Sequence, residues 1–267
     1  MTRNEVSAER VLEALVGGIL ESGQTAVLDG SFYQEMAPYV ENQTTAVTSP
    51  EALVRGVCRP GRSRLLDFGC GTGAYRSMLE DLGYEWHGVN YRDGMNVEAA
   101  AAAEAAPDPR MKFYDGLYLP FPDNHFDVVY SFQVFEHIQS IPTTFAEIRR
   151  VLKPGGSLIG AVSYLEQMQD YSTFNFTPYG FKLAVQQAGL NLLKLYPRYD
   201  AFTFLLRRLL IVTSGSDDNS LSPALQVDNA IGRAFVAFGE RLGLTDTETN
   251  LLRLMFSTHF AFHAVRT

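Results

Sequence analysis

Between residues 65 and 74 the chain reads Leu-Leu-Asp-Phe-Gly-Cys-Gly-Thr-Gly-Ala: an apolar run, one carboxylate and three alternating glycines. A strand that enters such a turn and leaves it as a helix lets a ligand approach backbone N–H groups at the helix start, because residues without a Cβ leave the way open. With Ala74 as the third small residue, Gly69 and Gly71 satisfy the loose dinucleotide pattern of two glycines followed by glycine or alanine. Asp67 decides between ligands. Placed two residues before the first glycine, its carboxylate points toward the loop, where a pyrophosphate would meet a like charge in a partly buried site. A ligand bearing an ammonium group would instead gain a charge-assisted hydrogen bond. S-adenosylmethionine has no phosphate and carries an amine on its methionine end, so it suits this loop better than a dinucleotide.

The elements around the loop follow a parallel α/β rhythm of short apolar runs and helical patterns. The expected strands are 64–68, 85–90, 111–114, 126–132, 157–163, 191–196 and 260–266. Expected helices are 74–82, ending at Gly83; 97–106, alanine-rich and stopped by Pro107; and 142–152, terminated by Lys153-Pro154-Gly155-Gly156. Thr177-Pro178 starts a further helix, with a capping hydroxyl before a proline at the first helical position, and Gly189 stops it. Residues 1–57 read as an N-terminal helical cover of two or three helices, the last starting at Ser49-Pro50. Residues 200–256 read as a helical insertion before the final strand: Val227, Ile231, Phe235, Phe238 and Leu242 recur at helical spacing, and Thr245 with Glu248 forms a capping box. The polar stretch 215–222 reads as an exposed loop.

Composition narrows the function classes. The 267 residues carry 22 Lys+Arg against 30 Asp+Glu, a formal charge of −8. No basic run exceeds the pairs Arg149-Arg150 and Arg207-Arg208, which argues against nucleic-acid binding. The first residues lack the apolar stretch of a secretory signal, and the apolar run 202–212 is broken by two arginines, so a soluble, cytoplasmic protein with no membrane span is expected. Cys58 and Cys70 are too few for a disulfide framework or a cysteine-based zinc site.

Residues 65–73 resemble the first motif of class I S-adenosylmethionine-dependent methyltransferases of the small-molecule group. Tyr114-Asp-Gly-Leu-Tyr-Leu-Pro-Phe-Pro-Asp-Asn-His-Phe-Asp-Val-Val-Tyr-Ser-Phe resembles the region of that group's third and fourth strands, and Glu147-Ile-Arg-Arg-Val-Leu-Lys-Pro-Gly-Gly its helix and turn before the fifth. These segments occur in the family's order across roughly residues 60–200. The resemblance implies an α/β fold: a Rossmann-like seven-stranded, mostly parallel sheet with an antiparallel last strand, plus N-terminal helices and a helical lid insertion before that strand. The implied division is 1–57 as the cover, 58–200 as the cofactor-binding core, 201–256 as the lid and 257–267 as the final core strand. S-adenosyl-L-methionine is the implied cofactor. Asp67, Gly69, Cys70, Gly71 and Gly73 would hold its methionine portion; Asp115, Gly116 and Leu117 would meet the adenine edge; Gln133 would line the cofactor. At the end of the second strand the family usually places an acidic residue on the ribose hydroxyls. This chain has Asn90-Tyr91-Arg92-Asp93, so either Asn90, next to Tyr91, holds the ribose or Asp93 reaches back.

Methyl transfer from a sulfonium is an in-line displacement, for which the protein aligns the acceptor and excludes water. An acidic acceptor also needs a base. Ser131-Phe-Gln-Val-Phe-Glu-His-Ile lies at the carboxyl edge of the sheet, where open α/β folds place ligands, and His137 carries the side-chain type that exchanges protons near neutral pH. Gln133, Glu136 and His137 also resemble a Glu-x-x-Glu-His metal-binding arrangement of some class members, but Gln133 removes one charge and no metal is expected. His87, His125, His259 and His263 read as structural.

The chain has 18 Phe and 13 Tyr beside one Trp, and ten of these rings fall within residues 164–204. Phe32, Tyr33 and Tyr39 form a second group. Rings concentrated outside the cofactor-binding segments point to an apolar or aromatic small-molecule acceptor, with oxygen the favoured acceptor atom. Two other readings stand beside methyl transfer: a cyclase that uses the bound sulfonium as fixed charge, and a non-catalytic partner subunit.

Overall fold

The structure is a computed structural model and describes residues 28, 30–44, 49–57, 63–91, 108–166, 171–214 and 229–267. It forms two compact units. One comprises Ser49–Leu195 with Ala261–Thr267, the other Met1–Thr48 with Tyr196–Phe260.

Seven strands make one sheet: β1 Ser63–Phe68, β2 Tyr84–Tyr91, β3 Met111–Tyr114, β4 Phe126–Phe132, β5 Leu152–Ser163, β6 Leu190–Pro197 and β7 His259–Arg266. Their order is β3-β2-β1-β4-β5-β7-β6, with six strands parallel and the last antiparallel. The antiparallel last strand is the one that the resemblance implies, and it lies between β5 and β6. Leu65, Leu66, Phe68, Val129, Tyr130, Leu158 and Ile159 are fully or almost fully buried, as expected of central strands covered on both faces.

Two elements depart from expectation. The helix expected over 74–82 is confined to Arg76–Asp81, because Gly71 and Gly73 hold φ values of 54° and 82° and residues 71–75 form turns instead. The expected stop signal at 153–156 lies inside β5, which begins at Leu152. Phe126 pairs with Leu152 and Val128 with Ser157, so Lys153-Pro154-Gly155-Gly156 is accommodated as an irregularity in the ladder rather than as a loop.

The helix Ile141–Val151 buries Ile141, Phe145, Ile148 and Val151, a single helical stripe. Phe145 meets Phe135 and Phe181 edge to face at 4.8 and 5.9 Å, and Phe181 lies 4.4 Å from Phe262. The helix Pro178–Gln187 begins as expected, with the Thr177 hydroxyl accepting from the Gly180 N–H at 2.9 Å, and is followed by Gly189 at φ 74°.

In the other unit the described helices are Ser31–Met36, Ala201–Ser214, Ala230–Arg241 and Asp246–Met255. The Thr245–Glu248 capping box is present in both directions. Ile231 and Phe235 are buried, and Phe235 stacks on Phe256 at 5.4 Å. The Asn250 side chain donates to the carbonyls of Glu41 and Gln43, tying the middle of the helix Asp246–Met255 to residues 41–43. The helix expected over 97–106, the loop expected over 215–222, Cys58 and Asp93 lie outside the described residues. Among the described residues no helix is long and apolar enough to cross a membrane.

Candidate functional site

The site is assembled where β1 ends. Gly69, Gly71 and Gly73 all have positive φ, 77°, 54° and 82°. Gly69 is also confined by packing: a Cβ there would lie 2.4 Å from Val134 Cγ2, so the loop after β4 closes on the glycine turn only because residue 69 has no side chain.

Most of the loop's amides are already engaged. The Gly69 and Cys70 N–H groups donate to the Val89 carbonyl at 2.8 and 3.3 Å, and that of Gly73 donates to the Cys70 carbonyl at 2.8 Å. The Gly71 N–H donates to Asn90 Oδ1 at 2.8 Å. These four amides are spent on shaping the turn and are not offered to a phosphate. The structure thus strengthens the argument against a dinucleotide.

A cavity of about 290 Å3 opens beside the loop, lined by Asp67, Gly69, Cys70, Gly71, Thr72, Ala74, Tyr75 and Phe132. Asp67 is 2% exposed, and its Oδ2 accepts from the Trp86 indole N–H at 3.2 Å. Burial pushes its carboxyl up to about 7, and the Trp86 hydrogen bond acts in the opposite direction. Burial, and then the Asp67 charge, raise the Cys70 thiol to about 12, so Cys70 lines the cavity as a neutral group. A buried carboxylate on the wall of a cavity, raised by desolvation, fits a cationic ligand group that would offset that penalty. The residues present therefore fit the ammonium of a methionine moiety.

The other expected site residues lie at or just beyond the carboxyl ends of β2, β3 and β4, outside the cavity's lining. Tyr91 pairs with Tyr114 at the ends of β2 and β3, and a Cβ on Gly116 would lie 3.2 Å from the Tyr91 ring. Asp115 Oδ1 accepts from the N–H groups of Leu117 and Tyr118 at 2.8 and 2.7 Å, bonds that hold its carboxyl below the usual range. Gln133 adopts φ 57°, rare for a residue with a side chain. Its N–H donates to the Ala161 carbonyl, and its Oε1 accepts from Ser163, whose hydroxyl also lies 3.2 Å from Glu166 Oε2. His137 closes the short turn Phe135–His137 and is half-buried. Asn90 is 3% exposed, and both ends of its amide engage Gly71. Among the described residues no group of three or more His, Cys, Asp or Glu is placed to hold a metal ion.

Sequence reasoning missed Trp86, Val134 and the pair Glu147–Arg150. Arg150 binds Glu147 and Asp123 and donates to the carbonyls of Leu119 and Phe121, while Glu147 Oε2 accepts from the Leu119 N–H. This clamp fixes the segment that follows Asp115–Leu117. The only early signal was that Trp86 is the one tryptophan of the chain. The ring-rich stretch divides: Phe176 and Phe181 are core, whereas Tyr171 and Phe174 are exposed.

Residues 66–160 match the family described as "Methyltransferase domain". A sterol 24-C-methyltransferase from Gibberella zeae is 37% identical over 111 residues, 40% of this chain and 29% of that protein. A demethylmenaquinone methyltransferase from Symbiobacterium thermophilum is 35% identical over 123 residues, 43% of this chain and 47% of that protein. The chain spans less than half the length of either relative. The crystal structure of the (4+2)-cyclase SpnF superposes with a TM-score of 0.50 at 21% identity, covering 97% of this chain and 96% of that one. Residues 66–160 thus resemble a methyltransferase domain, and the sheet order around them is that of the class I methyltransferase fold.

Proposed function

We infer that this protein is an S-adenosyl-L-methionine-dependent methyltransferase acting on a small acceptor that is apolar or aromatic, with oxygen as the favoured acceptor atom. The observation that carries the reading is the buried Asp67 carboxylate on the wall of a glycine-bounded cavity where the amides of Gly69, Cys70, Gly71 and Gly73 are already engaged. When bound, the cofactor supplies an electrophilic methyl group on a sulfonium.

The chain's own residues do the rest. Asp67 binds the ammonium, and Gly69, Cys70, Gly71 and Gly73 shape the wall against which the methionine portion lies. Tyr91 with Asn90 serves the ribose end, and Asp115, Gly116 and Leu117 the adenine edge. Tyr75 and Phe132, whose rings lie 5.6 Å apart, give the cavity an apolar wall that excludes water. Gln133 and His137 belong to the turn that follows Phe132, where His137 takes the acceptor's proton. The exposed Leu165, Tyr171 and Phe174 beyond β5 suit an apolar acceptor, as do the sterol and quinone named for the two relatives.

Calorimetry with S-adenosylhomocysteine, followed by incubation of S-adenosylmethionine with phenolic, sterol and quinol acceptors, tests this. Binding together with a one-methyl mass gain and equimolar S-adenosylhomocysteine is the expected result. Binding with acceptor turnover but no S-adenosylhomocysteine would replace transfer by a cyclisation or rearrangement.

A further inference from the structure

Trp86 is fully buried in the middle of β2, and its neighbours show why a tryptophan stands there. Parallel pairing sets Leu65 against Trp86 and Asp67 against Gly88, so the indole and the carboxylate project from the same face of adjacent strands. Gly88, opposite Asp67, leaves that face empty. A Cβ on Gly88 would lie 2.7 Å from the indole Cη2 and 2.6 Å from Cys70 Sγ, so the glycine makes the room through which the ring extends along the sheet to Asp67. Gly73 of the loop comes within 3.8 Å of the same ring, measured from its would-be Cβ, and the Arg76 guanidinium covers the indole at 5.1 Å. One side chain therefore underlies the glycine turn and donates its single N–H to the cavity's carboxylate.

We propose that Trp86 is the positioning residue of the ammonium site: its indole N–H holds Asp67 Oδ2, orienting the carboxylate toward the cofactor's amine. The proposal rests on the S-adenosylmethionine reading of the cavity. Trp86 acts through Asp67 and does not itself touch the cofactor's reacting atoms.

The consequence is a pH dependence with a defined sign. Asp67 binds an ammonium in its ionised form, so affinity rises with pH through the carboxyl's value of about 7. The groups around it are Cys70 from the loop, neutral in this range, Tyr130 opposite it on β4, and Arg76 above the indole, itself paired with Glu80 and Asp108. The indole N–H favours the ionised carboxylate, so its removal moves the profile to higher pH.

The test combines calorimetry with the single indole N–H resonance of the full chain, whose assignment needs no mutation because only one tryptophan is present. In Trp86→Phe, S-adenosylhomocysteine affinity at pH 7.5 should fall about tenfold, the loss expected for one hydrogen bond to a charged group, and its pH midpoint should rise. In the unmodified protein the indole resonance should move on adding S-adenosylhomocysteine and titrate near pH 7, and the titration should vanish in Asp67→Asn. An indole resonance indifferent to both pH and ligand, while calorimetry shows binding, overturns the role of Trp86 and leaves the cofactor reading standing. Failure of the unmodified protein to bind S-adenosylhomocysteine or S-adenosylmethionine overturns the cofactor reading itself. The resonance measurement decides even if Trp86→Phe does not fold.

Discussion

Asn90 grips Gly71 in both directions: its Oδ1 accepts from the Gly71 N–H and its Nδ2 donates to the Gly71 carbonyl, each at 2.8 Å. A carboxylate could make only the first of these bonds and would face the carbonyl with a second acceptor. Asn90→Asp should therefore destabilise the protein by about 1–3 kcal/mol, the range for an unmet buried polar group, as read by urea denaturation. A variant of unchanged stability that bound S-adenosylhomocysteine more tightly would instead make residue 90 a ribose ligand first and a loop clamp second.

Asp67→Asn separates stability from binding. The carboxyl is raised from about 4 to about 7 in the folded chain, so its contribution to stability is complete below pH 4 and is lost as pH rises through 7. The ligand-free variant should thus resist denaturant better than the parent at pH 8 and no better at pH 4. Cofactor affinity should fall by at least about tenfold. Equal denaturation midpoints at pH 8 would show that the carboxylate is not desolvated as its burial implies.

His137→Ala should reduce turnover about 100-fold, the lower range of general-base contributions, with S-adenosylhomocysteine affinity within about twofold of the parent. Single-turnover kinetics beside calorimetry makes the distinction, and the reverse pattern removes His137 from proton transfer.

Arg150→Ala should cost about 2 kcal/mol, less than a fully buried pair because the arginine side chain is 30% exposed. It also releases the carbonyls of Leu119 and Phe121. Hydrogen exchange should rise across 115–123 before it rises in β1. Arg150→Lys should restore only part of the protection, since an ammonium cannot reproduce the guanidinium's several directed donors.

His263 is held neutral by burial, its value lowered to about 4, and lies 3.1 Å from the Ser157 hydroxyl on the neighbouring strand. Its contribution to stability is present above the unfolded value of about 6.5 and is lost as pH falls through 4. His263→Gln should flatten the decline of the denaturation midpoint over that interval. An unchanged slope would assign the acid limb to other groups.

Much of the fold is legible in local chemistry. The apolar runs at 111–114 and 126–132 match β3 and β4 residue for residue, and the Thr177 and Thr245 caps are read directly from residues that compete for the same backbone amides. The segment 153–156 departs from what its residues suggest for a physical reason. Pro and Gly are strong local breakers, but a ladder with a flanking strand to pair with absorbs them as an irregularity, and no local signal tells the two outcomes apart.

The sequence by itself determined that a carboxylate precedes a glycine turn at the end of a parallel strand, because strand period, glycine freedom and the charge of Asp67 are properties of neighbouring residues. Tertiary structure alone decided what that carboxylate experiences. Its burial, its bond to an indole 19 residues away, the clearance left by Gly88 and the use of the loop amides by Val89 and Asn90 all arise from the register of β1 on β2. Register depends on packing across the whole sheet, and no run of residues along the chain encodes it.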